Sequence, residues 1–322
     1  MPFQFPPRVY DYICFDMKKD EKSPHKFETL SDAHRAFGQP QPKHPLISLL
    51  NGAPSWSELQ PPSGQHVLGF YKISYKPKLG GKLKYGQGYY DFDEGGLLFA
   101  APGQVVGGGD NEGPVCSEYT LLIHPDFFLG YPLAKKIGQY GFFSYTANET
   151  LHLSENEKAT IFSIFRIMEE ELNSRIDDSS QDLIISQIEL LLNYANRFYK
   201  RQFITRKAAS HDLLQKLDDL LSGYFNNEQS LSSGIPTVQY LAENLHLSPS
   251  YLSDMLRALT GQRAQQHIHD KLIEKAKEQL STTALSVSEI AYALGFEHSQ
   301  SFSKLFKTKT KLSPLEFRKA FN

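Results

Sequence analysis

Lys304, Lys307, Lys309 and Lys311 fall within eight residues, beside the small polar side chains Ser299, Gln300 and Ser303. Four ammonium groups at that density give a polyanion a row of point charges, and hydroxyl and amide groups next to them can donate and accept hydrogen bonds. The same residues also suit a solvated helix face. The charge distribution bears on the choice. From Met255 onward there are 11 Lys+Arg against 6 Asp+Glu, a net of +5, whereas the preceding residues carry 23 against 30, a net of −7. A basic end on an acidic body points to a polyanion partner for that end alone.

Other chemistry is thinner. A metal-dependent enzyme built on a small β-barrel is the rival reading, and it needs a His-x-His pair with a nearby Glu and a later His. His25, His34, His44, His66 and His124 do not have that spacing. His267 and His269 do, but they lie in a helical stretch, where side chains two apart diverge. Cys116 has no close His to activate it and reads as a buried thiol, and with Cys14 it is too few for a disulfide framework. The run VVGGGDNEGP lacks the GK[ST] of a phosphate loop, and no Gly-x-Ser-x-Gly elbow occurs. The expectation is a protein without catalytic residues, metal or cofactor.

The elements that must position the basic stretch follow from pattern. At 322 residues the chain suits two domains of ordinary size. Residues 1–150 are rich in Gly, Pro, Tyr and Phe, with strand-sized runs broken by turn formers about every ten residues, which predicts an antiparallel barrel or sandwich. Tyr71, Tyr75, Tyr89, Tyr90 and Phe99 could line a pocket there or form its core. In residues 155–204 the period changes: Ile161, Phe165, Met168 and Leu172, then Ile184, Ile188, Leu191, Ala195 and Phe198, recur at helical steps. An αα-hairpin is predicted, its stripes packing on the sheet or forming a dimer seam. No apolar run approaches a membrane span, and the start lacks the features of a signal peptide, so cytoplasm is the expected compartment.

Residues 210–322 read as helix after helix. Ser248-Pro249 and Ser313-Pro314 place a cap residue before proline, Ser286…Glu289 and Ser313…Glu316 have capping-box spacing, and Gly261 and Gly295 stand where helices should stop. Two short helix pairs share one grammar. Leu241-Ala242 precede a turn and then Tyr251, Leu252, Met255 and Leu256; Ile290-Ala291 precede Gly295-Phe296 and then Phe302, Leu305 and Phe306. The alanines lie where two helices must approach, which is helix-turn-helix logic, and it occurs twice about 49 residues apart, at 238–260 and 287–309.

These residues resemble the signature of the AraC/XylS family of bacterial transcription regulators. The match lies in Ile290-Ala291-x-x-x-Gly295-Phe296, Phe302-Ser303-Lys304-x-Phe306-Lys307 and Ser313-Pro314-x-x-Phe317-Arg318, and upstream in Leu241-Ala242, Ser248-Pro249-x-Tyr251-Leu252-Ser253 and Thr260-Gly261. It covers about 110 C-terminal residues. Lys311 departs from the family's usual Gly, Lys271 from its usual Arg, and Asp254 puts an acid on the outward face of the first reading helix.

The resemblance implies an α+β multidomain chain: a cupin-like antiparallel β-barrel in 1–150 as sensor, a helical linker in 155–204 that dimerises, and an all-α double helix-turn-helix domain in 210–322. The implied partners are double-stranded DNA, a small-molecule effector, a second copy of the chain and RNA polymerase. It also implies that Ser250, Ser253 and Asp254, then Ser299, Gln300, Ser303 and Lys304, face base edges. Gln300 suits adenine, Lys304 guanine, Asp254 a cytosine amino group, and serine hydroxyls any base. Arg257, Lys307, Lys309 and Lys311 are expected on phosphates.

Overall fold

The computed structural model describes residues 25–51, 66–77, 83–85, 88–90, 95–106, 117–146, 149–174, 178–205, 207–227 and 229–320. Cys14, Cys116, most of the VVGGGDNEGP run and the side chains of Tyr89 and Tyr90 lie outside them.

The strands are β1 (His25–Phe27), β2 (Ile47–Asn51), β3 (His66–Leu68), β4 (Tyr71–Lys76), β5 (Leu83–Tyr85), β6 (Gly88–Tyr90), β7 (Gly96–Ala100), β8 (Val105–Val106), β9 (Tyr119–Ile123) and β10 (Leu151–His152). They form a five-stranded antiparallel sheet in the order β10-β7-β4-β9-β2, a three-stranded sheet β1-β3-β8 and the hairpin β5-β6. A closed antiparallel barrel is therefore not what the described strands make. The sheets are separate, and β1 runs parallel to β3, an arrangement open to strands joined by a long crossover.

Alternation along β4 sorts the larger sheet into two faces. Ile73 and Tyr75 share one face with Leu97, Phe99, Leu121 and Ile123, and all are buried in one apolar cluster. Tyr75 and Phe99, offered above as pocket residues, belong to this packed core, and Tyr71 packs against it. Lys72 and Ser74 take the opposite parity, the side from which Leu122 meets Phe27, Leu30, Leu68 and Phe70 of the smaller sheet. Two short helices, α1 (Leu30–Ala36) and α2 (Leu133–Lys136), flank the sheets.

The inner face is covered by α3 (Glu155–Asn173) and α4 (Asp178–Thr205). A Ser154–Glu157 capping box starts α3, and Arg201 of α4 bonds Glu157 at 2.6 Å and the His152 carbonyl at 2.8 Å, fixing the hairpin to β10. Both predicted stripes, from Ile161 to Leu172 and from Ile184 to Phe198, are buried in the sheet's own cluster. These stripes pack inside the chain.

The rest is helical: α5 (Lys207–Asn226), α6 (Gln229–Ser233), α7 (Val238–Asn244), α8 (Pro249–Thr260), α9 (Ala264–Thr282), α10 (Val287–Ala293), α11 (Ser299–Thr310) and α12 (Pro314–Lys319). No helix among the described residues is long and apolar enough to cross a membrane.

Candidate nucleic-acid interface

The two helix pairs are built alike. In the first, Leu241 and Ala242 of α7 meet Leu252 and Leu256 of α8, with Leu217 and Leu221 of α5 and Ala264 and Ile268 of α9 completing the cluster. In the second, Ile290 and Ala291 of α10 meet Phe302 and Phe306 of α11 over Leu272, Ala276 and Leu280 of α9. Both alanines are fully buried, where a larger side chain would force the helices apart. Helix α9 serves both clusters, its first half one and its second half the other.

Local chemistry sets each start and stop. Thr237, Ser248, Ser286 and Ser313 cap helix N-termini through their side chains, and Pro249 and Pro314 occupy first-turn positions. Gly261 ends α8 at φ +78. Lys311 ends α11 at φ +67, in the left-handed region that favours glycine. Gly295, at φ +89, turns the chain between α10 and α11, and a Cβ there would lie 2.5 Å from the Gly234 carbonyl carbon. The Ser230 hydroxyl donates to the Ala293 carbonyl at 2.7 Å, so α6, which sequence pattern did not reveal, buttresses this turn.

On α11, Phe302 and Phe306 face the core, so the residue midway between them, Lys304, points directly away. Lys304, Gln300 and Lys307 are exposed, with Ser299 and Ser303 half-buried beside them. This sets a contiguous polar face with two ammonium groups on the surface. Lys309 differs: its ammonium pairs with Asp270 of α9 at 2.7 Å. Lys311 turns back to the Thr308 carbonyl at 3.2 Å.

On α8, Leu252 and Leu256 face the core, and the residue midway between them is Asp254. It is half-buried, not exposed. The Tyr145 hydroxyl donates to its Oδ2 at 2.8 Å, and burial together with the Asp254 carboxylate pushes the Tyr145 phenol well above its usual range. Tyr251 and Met255 are buried in the N-terminal cluster, with the Tyr251 ring edge-on to Tyr145 and Phe203 at centroid distances of 5.1 Å each. Ser248 donates to Glu149 through its backbone N–H and its hydroxyl, each at 2.6 Å. Ser250 and Ser253 are half-buried and Arg257 is exposed. Sequence reasoning missed Tyr145 and Glu149; nothing in their local pattern marks them as partners of a helix about 100 residues on.

His267 is hydrogen-bonded to Thr260 at 2.9 Å, tying α9 to the end of α8, and His269 to Gln265 within α9 at 3.1 Å.

A family described as a helix-turn-helix domain matches residues 241–320. An uncharacterized HTH-type transcriptional regulator, YijO of Escherichia coli (strain K12), is 31% identical over 86 residues, which is 27% of this chain and 30% of that protein. The raffinose operon transcriptional regulatory protein RafR of Pediococcus pentosaceus is 34% identical over 93 residues, 29% of this chain and 33% of that one. The chain thus spans about a third of the length of these curated relatives. Among solved structures, the C-terminal domain of the two-component response regulator yesN from Fusobacterium nucleatum subsp. nucleatum is 34% identical, covering 31% of this chain and 96% of that one with a TM-score of 0.28.

Proposed function

Residues 241–320 being a helix-turn-helix domain of the AraC type, we propose that the chain is a sequence-specific regulator of transcription that binds double-stranded DNA. Its two motifs, 238–260 and 287–309, would lay α8 and α11 in consecutive major grooves. The observation that carries this reading is the outward face of α11. Gln300 and Lys304 stand opposite a core of Phe302 and Phe306, their side chains making no hydrogen bond or ion pair to any described residue, so both side chains are free to meet base edges. Ser299 and Ser303 flank them. Lys307 and Arg257 are exposed and suit phosphates, which hold register without reading sequence.

In the same proposal the cupin-like N-terminal sheets receive a small-molecule effector. The side of the larger sheet that faces the smaller one supports it, because it carries Lys72, Ser74 and Thr120 rather than an unbroken apolar surface. A second copy of the chain would pair through the outer side of α3 and α4, where Ile167, Leu183, Leu190 and Ile204 are exposed. RNA polymerase is the partner such a regulator would recruit or block. The test is recovery of genomic fragments by the purified full chain. A recurrent sequence in the recovered pool is expected; a pool no different from its input refutes the reading.

A further inference from the structure

The two reading helices have equivalent geometry and opposite fates. The residue opposite the core is Lys304 on α11 and Asp254 on α8. A helix-turn-helix must insert that outward face into the major groove, which is about 12 Å wide and admits a bare helix but not a helix with protein packed on it. On α11 the face is open. On α8 it is covered: Tyr145 bonds Asp254, and the backbone at Gly141 lies so close that a Cβ there would collide with the Asp254 carboxylate.

The start of α8 is blocked as well. A helix N-terminus attracts anions, and on DNA it is a site for a backbone phosphate. Here the buried Glu149 carboxylate holds that place, taking both donors of Ser248, while the Thr146 backbone N–H donates to it at 2.7 Å from its own loop. Glu149 is thus a stand-in for the phosphate, supplied by the N-terminal half of the same chain.

We propose that Tyr145 and Glu149 form an autoinhibitory latch that keeps the first reading helix off DNA, so that this conformation meets DNA through the second motif alone. The proposal rests on the DNA-binding reading above. Release of Gly141, Tyr145 and Glu149 exposes Asp254, Tyr251 and the α8 N-terminus together, and only then are both motifs available. Because the latch is made by the half that carries the sheets, any ligand that shifts those residues controls the number of engaged motifs, by its differential affinity for the two states.

The test uses the full chain in three forms: wild type, Glu149→Ala and Gly141→Ala. Glu149→Ala removes the stand-in anion, and Gly141→Ala displaces the Asp254 carboxylate and with it the acceptor of the Tyr145 hydrogen bond. A duplex selected by Gly141→Ala from a randomised pool is bound by all three under one salt condition. The expected result is binding about tenfold tighter for both variants than for wild type, with hydroxyl-radical protection over one groove segment for wild type and two consecutive ones for the variants. Hydrogen exchange at residues 249–256 should rise in the variants while α9, α10 and α11 stay protected. Equal or weaker binding with the same footprint, or unchanged exchange in α8, overturns the latch and leaves the DNA-binding reading standing. If no form binds any duplex in the pool, that reading falls and the latch with it.

Discussion

Ser248 gives Glu149 two hydrogen bonds of 2.6 Å, and both residues are buried although 99 positions separate them. A carboxylate is costly to bury without donors, and here two donors come from the residue that caps α8. The contact joins the sheet-bearing half of the chain to the first of its two helix-turn-helix motifs, and it distinguishes that motif from the second.

The turn of the second motif depends on Gly295. Its φ of +89 and its approach to Gly234, itself at φ +74, leave no room for a Cβ. Gly295→Ala is expected to lower stability by on the order of 3 kcal/mol. Urea unfolding of the purified variant checks this, and a loss under 1 kcal/mol would mean that the turn relaxes without strain.

Lys72 supplies a pH test of the sheets. Burial, with a smaller effect from Lys76, lowers its pKa from 10.5 to about 8. Below pH 8 the lysine is charged both folded and unfolded, and the burial penalty is present in full. Between pH 8 and 10.5 the unfolded chain binds the proton more tightly, so this residue's contribution to stability rises with pH. Lys72→Met is therefore expected to raise Tm at pH 7, by a gain of at most ~3 kcal/mol, and the gain should shrink as pH rises through that window. A gain that does not vary with pH would contradict the assignment.

Lys307 and Lys309 should separate in a salt titration. Lys307 is exposed and makes no ion pair among the described residues, whereas Lys309 is held by Asp270 at 2.7 Å. Lys307→Ala is expected to reduce the slope of log K against log salt by roughly one, and Lys309→Ala by less. A full unit from Lys309 would show that its pair with Asp270 opens on DNA.

Much of this was legible in sequence because its causes are local. Ser248-Pro249, Ser286…Glu289 and Ser313-Pro314 marked helix starts that the structure places as expected, and the helical stretch holding His267 and His269 is α9, Ala264–Thr282. The alternation Ile73/Tyr75 against Lys72/Ser74 was equally present in the residues, but which face meets the helices is a tertiary fact, and it sends Tyr75 and Phe99 to the core. Asp254 looked like an exposed acid because its helix fixes only its direction; what lies in that direction comes from Tyr145, 109 positions away. Short α6 carries no apolar period and so gave no signal.

In the proposed reading, Gln300 is the residue expected to read a base. Gln300→Ala is expected to cost ~1–3 kcal/mol at one base position and little elsewhere in the site. An equal loss on every sequence would move Gln300 to the phosphate backbone.

Fluorescence anisotropy of the full chain tests the central claim most directly, by comparing a duplex recovered by genomic selection with a scrambled duplex of equal length and composition at about 150 mM salt. The expected result is binding at least ~10³-fold tighter to the recovered duplex, weakening steeply as salt rises. Equal affinity for the two duplexes would contradict it.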